Sequence, residues 1–330
     1  MEQYLLTNYT HCTQQLTYLE SPEFLFNGVH IFSILTFPLS VYGVYLILRV
    51  TPKRLEGTKY ILLHSQFCIF LLDFLMNVLV TPYLFLPLAS VYFMGVLKNT
   101  FIPFKIVTFI GQFSVHAFGI SLVSIFQSRH SVIVTIKYRI TKKSTFIIYY
   151  ALLYICGFLV ILSYHLGDVD IELRKLEFLS KYPCPHILFF NSNTHLITDQ
   201  LYLTGFGMLS LVIIIVISGF YFFLTSTYCL VFKSAAVSER TKQLQLSFLI
   251  SASIQVVIPV LALLIPLFYL CYSVIQSVYS QIANNFLLLA ISFHGLSSNL
   301  ALIVTHKPYR EYTFRRCEKR KSSKVVSIVI

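Results

Sequence analysis

Long apolar runs alternate with short polar connections along the whole chain. Seven of these runs are long enough to cross a bilayer core of about 30 Å as helix, which takes about 20 residues. They fall at 29–48, 61–86, 101–126, 146–166, 201–232, 244–270 and 282–305. The runs are continuous, whereas a membrane β-barrel shows segments of about ten residues with alternating polarity. In lipid, backbone groups must be satisfied within the segment, and a continuous apolar run does so as helix. The pattern predicts an all-α fold, an integral membrane seven-transmembrane-helix bundle. Residues 29–305 form the bundle, 1–28 an extracellular N-terminal segment and 306–330 a basic cytoplasmic tail.

Composition agrees with this. Charged residues make up 12% of the chain, about half the share usual in a soluble domain. Across the seven runs only Asp73 and Lys105 carry a formal charge. The net charge of +12 does not indicate nucleic acid, because the positive residues lie in the connections. There they suit the headgroups of a lipid bilayer and set orientation. Twenty Lys and Arg sit in 49–60, 127–145, 233–243 and 306–330, against four in the opposite set of connections. The basic set is therefore expected to be cytoplasmic, with the N-terminus outside. Residues 1–28 lack Lys, Arg and an early apolar run, so the first span is expected to act as its own insertion signal. Asn8-Tyr9-Thr10 is a glycosylation sequon in the expected exterior segment.

Catalytic signatures are absent: no G-x-x-x-x-G-K-[ST], no H-E-x-x-H and no G-x-S-x-G. A lone intramembrane acid supplies no paired catalytic groups, so neither enzyme nor cofactor is expected. The seven cysteines include no C-x-x-C pair, which argues against a metal site.

The polar residues inside the spans are the candidates for function. An ionised Asp73 at mid-span costs at least about 2.5–3.5 kcal/mol, so it must face the bundle interior. Asn77 is one turn along the same face, and His294, Ser297, Ser298 and Asn299 offer partners in the last span. Asp73, Asn77 and Asn299 read either as a polar switch between helices or as a hydrogen-bonded packing node. Lys105 reads as a snorkelling cation or as a ligand-facing charge. His116, Gln255 and His294 are ligand-pocket candidates, with interhelical hydrogen bonding the plainer reading. Pro259 removes the intrahelical bond to the Gln255 carbonyl and supplies a possible hinge, with simple curvature as the alternative. Arg129, at the cytoplasmic end of the third span, can donate up to five hydrogen bonds in a fixed fork. That suits the carbonyl-rich end of a partner's helix.

Cys12 and Cys184 are the cysteines most clearly outside the membrane, where thiols oxidise. They form the candidate disulfide, with Cys271 as the competing partner. Cys317 follows Arg315-Arg316 just past the last span and is a palmitoylation candidate or a plain thiol.

The motifs narrow the class. Ser21-Pro22-Glu23-Phe24-Leu25, Phe37-Pro38, Thr51-Pro52-Lys53, Leu72-Asp73 and Pro82-Tyr83-Leu84-Phe85 are followed by Arg129-His130 and Pro183-Cys184. Ile254-Gln255, Ile258-Pro259, Asn284-Asn285, His294-Gly295 and His306-Lys307-Pro308-Tyr309-Arg310 complete the series. In this order the chain resembles the nematode serpentine receptor class H (Srh) chemoreceptors, which are G-protein-coupled receptors, over roughly residues 18–312. The resemblance implies a chemosensory receptor of sensory neurons. Its partners would be a small-molecule ligand and a heterotrimeric G protein, with no nucleic acid. It adds Asn284 and Asn285 to the pocket candidates and His130 to Arg129 as coupling candidates. The sequence departs from the Srh pattern in having Gln127, where an acidic residue is common, two before Arg129, and from rhodopsin-like receptors in having no Asp-Arg-Tyr, no cysteine at the exterior end of the third span and no Asn-Pro-x-x-Tyr in the last span. The rival expectation is a seven-span channel or transporter. Transporters commonly show two related halves, and no internal repeat is visible here.

Overall fold

The computed structural model describes residues 2–12, 17–52, 56–134, 143–167, 170–198, 201–233 and 238–314. Cys317 and the rest of the tail lie outside them. Seven helices are long and apolar enough to cross a membrane. They are α1 (Pro22–Val50), α2 (Glu56–Phe74), α3 (Phe104–Ile133), α4 (Lys143–His165), α5 (Leu201–Phe232), α6 (Glu239–Gln276) and α7 (Gln281–Thr305).

Most of the helices run past the apolar stretches that announced them. α1 begins at Pro22 rather than at 29, because Ser21 is a complete start signal. Its Oγ accepts the Phe24 N–H at 3.1 Å, and proline occupies the first turn. α3 continues to Ile133 rather than 126, and α6 spans 239–276 rather than 244–270. Their polar end turns extend beyond the part that hydropathy registers. Ser238 caps the start of α6, accepting the Thr241 N–H at 3.4 Å.

One boundary errs the other way. The second span was expected to run to 86, but its helix ends at Val80. After Phe74 the ladder widens into a π-turn over Leu75–Val80. Thr81 then takes a left-handed conformation with φ 39°, its N–H bonded to the Met76 carbonyl. Pro82 has no N–H to continue the helix and disfavours helical backbone in the residue before it. The chain emerges as strand β1 (Pro82–Phe85).

β1 pairs antiparallel with β2 (Ser90–Phe93), Pro82 opposite Phe93. β2 pairs antiparallel with β3 (Thr194–Leu196), Ser90 opposite Leu196. This small sheet was not anticipated, since four apolar residues in a strand cannot be told from a helix end by hydropathy alone. A loop helix, Ile171–Lys181, lies beside it. Its N-cap is Asp170, which accepts the Leu173 N–H at 3.1 Å.

The sheet, the loop helix and the N-terminal segment form a cap over one end of the bundle. Its core joins Leu25, Tyr83, Phe85, Phe178 and Phe189 to Leu287 and Leu288 of α7. A second core fills mid-bundle around Leu72, Phe118, Phe126, Phe222 and Val256. A third, at the opposite end, packs Leu46, Ile47, Leu62 and Leu302 around Tyr309. That opposite end carries the connections rich in Lys and Arg and is called the basic face below. α7 buries the largest share of its surface and α5 the smallest. After His306, residues 307–314 form one further short helix.

Candidate functional site

At the capped end, a disulfide joins Cys12 to Cys184, their Cα atoms 5.7 Å apart. Cys271 is a free thiol. Around the bridge, Tyr4 Oη donates to the Pro183 carbonyl at 3.1 Å and Tyr9 Oη to the Pro185 carbonyl at 2.8 Å. α7 pins the cap from below. Asn285 Nδ2 donates to the carbonyls of Leu19 (2.8 Å) and Ser21 (3.3 Å). Gln281 Nε2 reaches the Leu84 carbonyl at 3.2 Å and Asn285 Oδ1 at 3.0 Å. Asn284 donates to the same Leu84 carbonyl at 3.4 Å and accepts from Tyr269 at 3.2 Å. Asn284 and Asn285, read from sequence as pocket candidates, are thus fully buried and engaged in fastening the cap. Lys175 is buried there too, its Nζ on the Thr194 carbonyl at 3.0 Å and 5.6 Å from the Phe189 ring centre. Burial holds its ammonium below the ordinary lysine pKa, with the Glu172 charge opposing. Asn8 of the sequon is exposed.

The expected ligand groups of α3 lie elsewhere. Lys105 is exposed, and its ammonium donates to the Gly167 carbonyl at 2.8 Å, in the loop after α4. It does not point into the bundle. His116 is buried against α4, its Nε2 3.1 Å from the Leu153 carbonyl. Gly157 makes room for that ring, since a Cβ there would sit 2.1 Å from His116 Cδ2. His116 thus makes a packing contact between α3 and α4.

At mid-bundle α2 meets α7 through polar side chains. Asp73 Oδ1 lies 3.4 Å from His294 Nδ1, both residues 1% exposed. That nitrogen is also 2.6 Å from the Ile291 carbonyl, its hydrogen-bond partner. Asp73 fits only because residue 295 is glycine: a Cβ there would fall 1.6 Å from Asp73 Oδ2. Asn77 Oδ1 accepts from Ser292 Oγ at 2.8 Å. Both Asp73 oxygens, Asn77 Nδ2 and His294 Nε2 are buried with no hydrogen-bond partner among the described residues. A second polar layer lies closer to the basic face and is closed. Gln66 Nε2 donates to Asn299 Oδ1 at 2.6 Å and to Ser40 Oγ at 3.2 Å, while Asn299 Nδ2 reaches Ser40 Oγ at 3.0 Å. Sequence reading singled out Asn299 but missed Gln66 and Ser40, although a glutamine inside an apolar run is the same kind of signal.

The basic face holds the remaining candidates. α2, α3 and α6 enclose a cleft of about 660 Å³, lined among others by Thr58, Ile61, Arg129, Val132, Thr241 and Phe248. Arg129 is 4% exposed. Its guanidinium carbon lies 5.4 Å from the Phe248 ring centre, and its Nε has no hydrogen-bond partner among the described residues. Below it, Tyr309 and Thr51 hydroxyls are 2.7 Å apart, tying the segment after α7 to the end of α1. His130, expected beside Arg129 in coupling, turns the other way and is buried on α5. Its ring centre lies 5.2 Å from that of Phe222. Adjacent helical residues point about 100° apart, so one can face the cleft while the next faces a neighbour. Gln255 is bonded to the segment after α7. Its Oε1 accepts from His306 Nε2 at 2.7 Å, on the basic side of Pro259. α6 continues through Pro259 and Pro266.

Among the described residues no three His, Cys, Asp or Glu side chains converge as a metal site would require.

Comparison with known proteins agrees with the geometry. The fold is similar to that of squid rhodopsin, known from a crystal structure. The TM-score is 0.54 over 92% of this chain and 88% of that one, at 11% identity. In sequence the chain is similar to serpentine receptor class H-72 of Caenorhabditis elegans. Identity is 25% over 337 aligned positions, covering 97% of this chain and 93% of the relative. The family described as serpentine type 7TM GPCR chemoreceptor Srh matches residues 20–319. A seven-helix bundle of rhodopsin-like fold matched to that family over nearly its whole length is assigned accordingly: the chain is an integral membrane protein and belongs to the Srh family of serpentine chemoreceptors.

Proposed function

We propose that this receptor takes a small external chemical ligand among its helices and activates a heterotrimeric G protein through its basic face. In this reading the capped end lies outside and the basic face lies in the cytoplasm, at the plasma membrane of a sensory neuron. The excess of Lys and Arg on the basic face supports that orientation, as does an exposed sequon at Asn8 on the capped side.

The observation that carries the proposal is Arg129. A buried guanidinium faces an open cleft and is covered by an aromatic ring. A fork of donors with Nε unmatched is a fitting receiver for the carbonyl end of a partner's helix. Ligand arrival is read at the α2–α7 contact, where Asp73, Asn77 and His294 hold buried polar atoms without a hydrogen-bond partner among the described residues. Pro259 serves as the pivot that lets the inner half of α6 move. The ligand acts by binding the moved state more tightly.

The test is a calcium screen of cells expressing the receptor against volatile and water-soluble compounds, repeated under G-protein blockade. The proposal expects a ligand-evoked response that blockade abolishes. A ligand-evoked current that survives blockade would overturn it in favour of a channel or transporter.

A further inference from the structure

The inner half of α6 is tied to the end of α7 on successive turns of one face. Ser251 Oγ lies 3.0 Å from the Thr305 carbonyl, sharing its proton with the Ser247 carbonyl at 2.9 Å. One turn on, His306 Nε2 donates to Gln255 Oε1 at 2.7 Å. With the amide oxygen facing the ring, Nε2 carries the proton. One turn the other way, Phe248 covers Arg129. Phe248, Ser251 and Gln255 thus form a single stripe at helical spacing. All three of Ser251, Gln255 and His306 are buried.

The tie reaches further than α7. Three residues past His306, Tyr309 shares a hydrogen bond with Thr51 at 2.7 Å. Tyr312 pairs with Tyr45 at 2.8 Å and Thr313 with Tyr42 at 2.9 Å. The helix 307–314 is therefore fastened along α1 by three hydroxyl pairs. Through His306, that fixed element holds α6.

The position of the tie on α6 matters. Gln255 is four residues before Pro259, so its own carbonyl receives no intrahelical N–H. The helix is locally weakest at the turn that carries the latch residue. Rotation of the inner half about this turn would separate Gln255 from His306 and draw Phe248 off Arg129.

We infer that the His306–Gln255 hydrogen bond is a latch that holds α6 over Arg129 in the resting receptor. The inference deepens the coupling reading above by naming the contact that must break. It concerns a motion of the chain alone and needs no ligand.

The experiment uses the full chain in lipid nanodiscs without ligand. Spin labels on keto amino acids replace Tyr60 on α2 and Arg240 on α6, both exposed, and the distance between them is measured by pulsed dipolar spectroscopy. Gln255→Leu removes the acceptor at similar size. It should enlarge a longer-distance population about five- to tenfold, the factor expected for losing one buried hydrogen bond. Gln255→Glu keeps an acceptor toward His306 and should return the wild-type distribution. Ser251→Ala, a smaller change that guards against misfolding of the first variant, should shift the same way to a lesser degree. A Gln255→Leu distribution identical to wild type would overturn the latch, and so would equal opening in Gln255→Glu. Basal nucleotide exchange on a purified heterotrimeric G protein is followed in parallel. A lengthened distance without added exchange supports the latch while counting against G-protein coupling, so the two readings fail separately.

Discussion

The capped end and the basic face use their buried polar groups in different ways. In the cap, Asn284, Asn285, Gln281 and Lys175 all donate to backbone carbonyls of the loops they hold. A covalent bridge joins Cys12 to Cys184. Backbone acceptors cannot turn away, so these contacts persist unless the loop itself moves. At the basic face, apart from Ser251 on the Thr305 carbonyl, the main closing contacts are side chain to side chain: His306 with Gln255, Tyr309 with Thr51, Phe248 over Arg129. Each can be exchanged by a change of rotamer, and Arg129 Nε is unmatched among the described residues. In the proposed function, one end keeps its shape and the other trades partners.

This contrast can be broken by experiment. The largest effect is expected from the cap's covalent tie. Cys12→Ser should loosen the cap by about 2–4 kcal/mol, a usual worth for a native disulfide. Hydrogen exchange over residues 82–93 and 187–196 would report it, with reduced surface delivery. Equal deprotection at the inner end of α6 would erase the distinction between the two ends. Asn285→Ala should cost about 1–2 kcal/mol, because the fully buried Asn285 amide and its bonds to the Leu19 and Ser21 carbonyls are lost. Faster exchange confined to residues 17–25 and the start of α7 is the expected signature.

The smallest effect sharpens the other side. Burial, and then the nearby charge of Arg129, push the His306 pKa down to about 3. An opened segment would bind a proton near the ordinary histidine value of about 6.5, so the open form holds more protons below that pH. The closed form is therefore favoured fully above about 6.5 and loses stability as pH falls toward 3. Acidification from pH 7 to 5.5 should weaken the tie by about 1 kcal/mol, seen as a growing longer-distance population in the spin-label experiment. His306→Gln should flatten that pH dependence.

Much of this layout was legible in the sequence. Continuous apolar runs announced seven spans because lipid leaves no alternative to helix. Asp73 announced an interior contact because a charge facing lipid is too costly. The boundaries were less legible, as at Ser21-Pro22 and Thr81-Pro82, where a cap or a proline sets the helix end and hydropathy does not. The pocket candidates were the least legible. Asn285, His116 and Gln255 are polar residues in apolar surroundings, and composition cannot tell a ligand contact from a bond to a neighbouring carbonyl or side chain. What decided each was the partner across the interface: Leu19, Leu153 and His306. His130 packs on α5 rather than in the cleft because one helical step separates the two.

The central claim is that the basic face couples through Arg129. Arg129→Ala leaves Lys137, Arg139, Lys142 and Lys143 in the same connection, so orientation and surface level should be unchanged, checked by epitope labelling of intact and permeabilised cells. Ligand-dependent nucleotide exchange on the G protein is then measured at matched surface expression. The account predicts that exchange is lost or severely reduced, whereas full exchange by Arg129→Ala would contradict it.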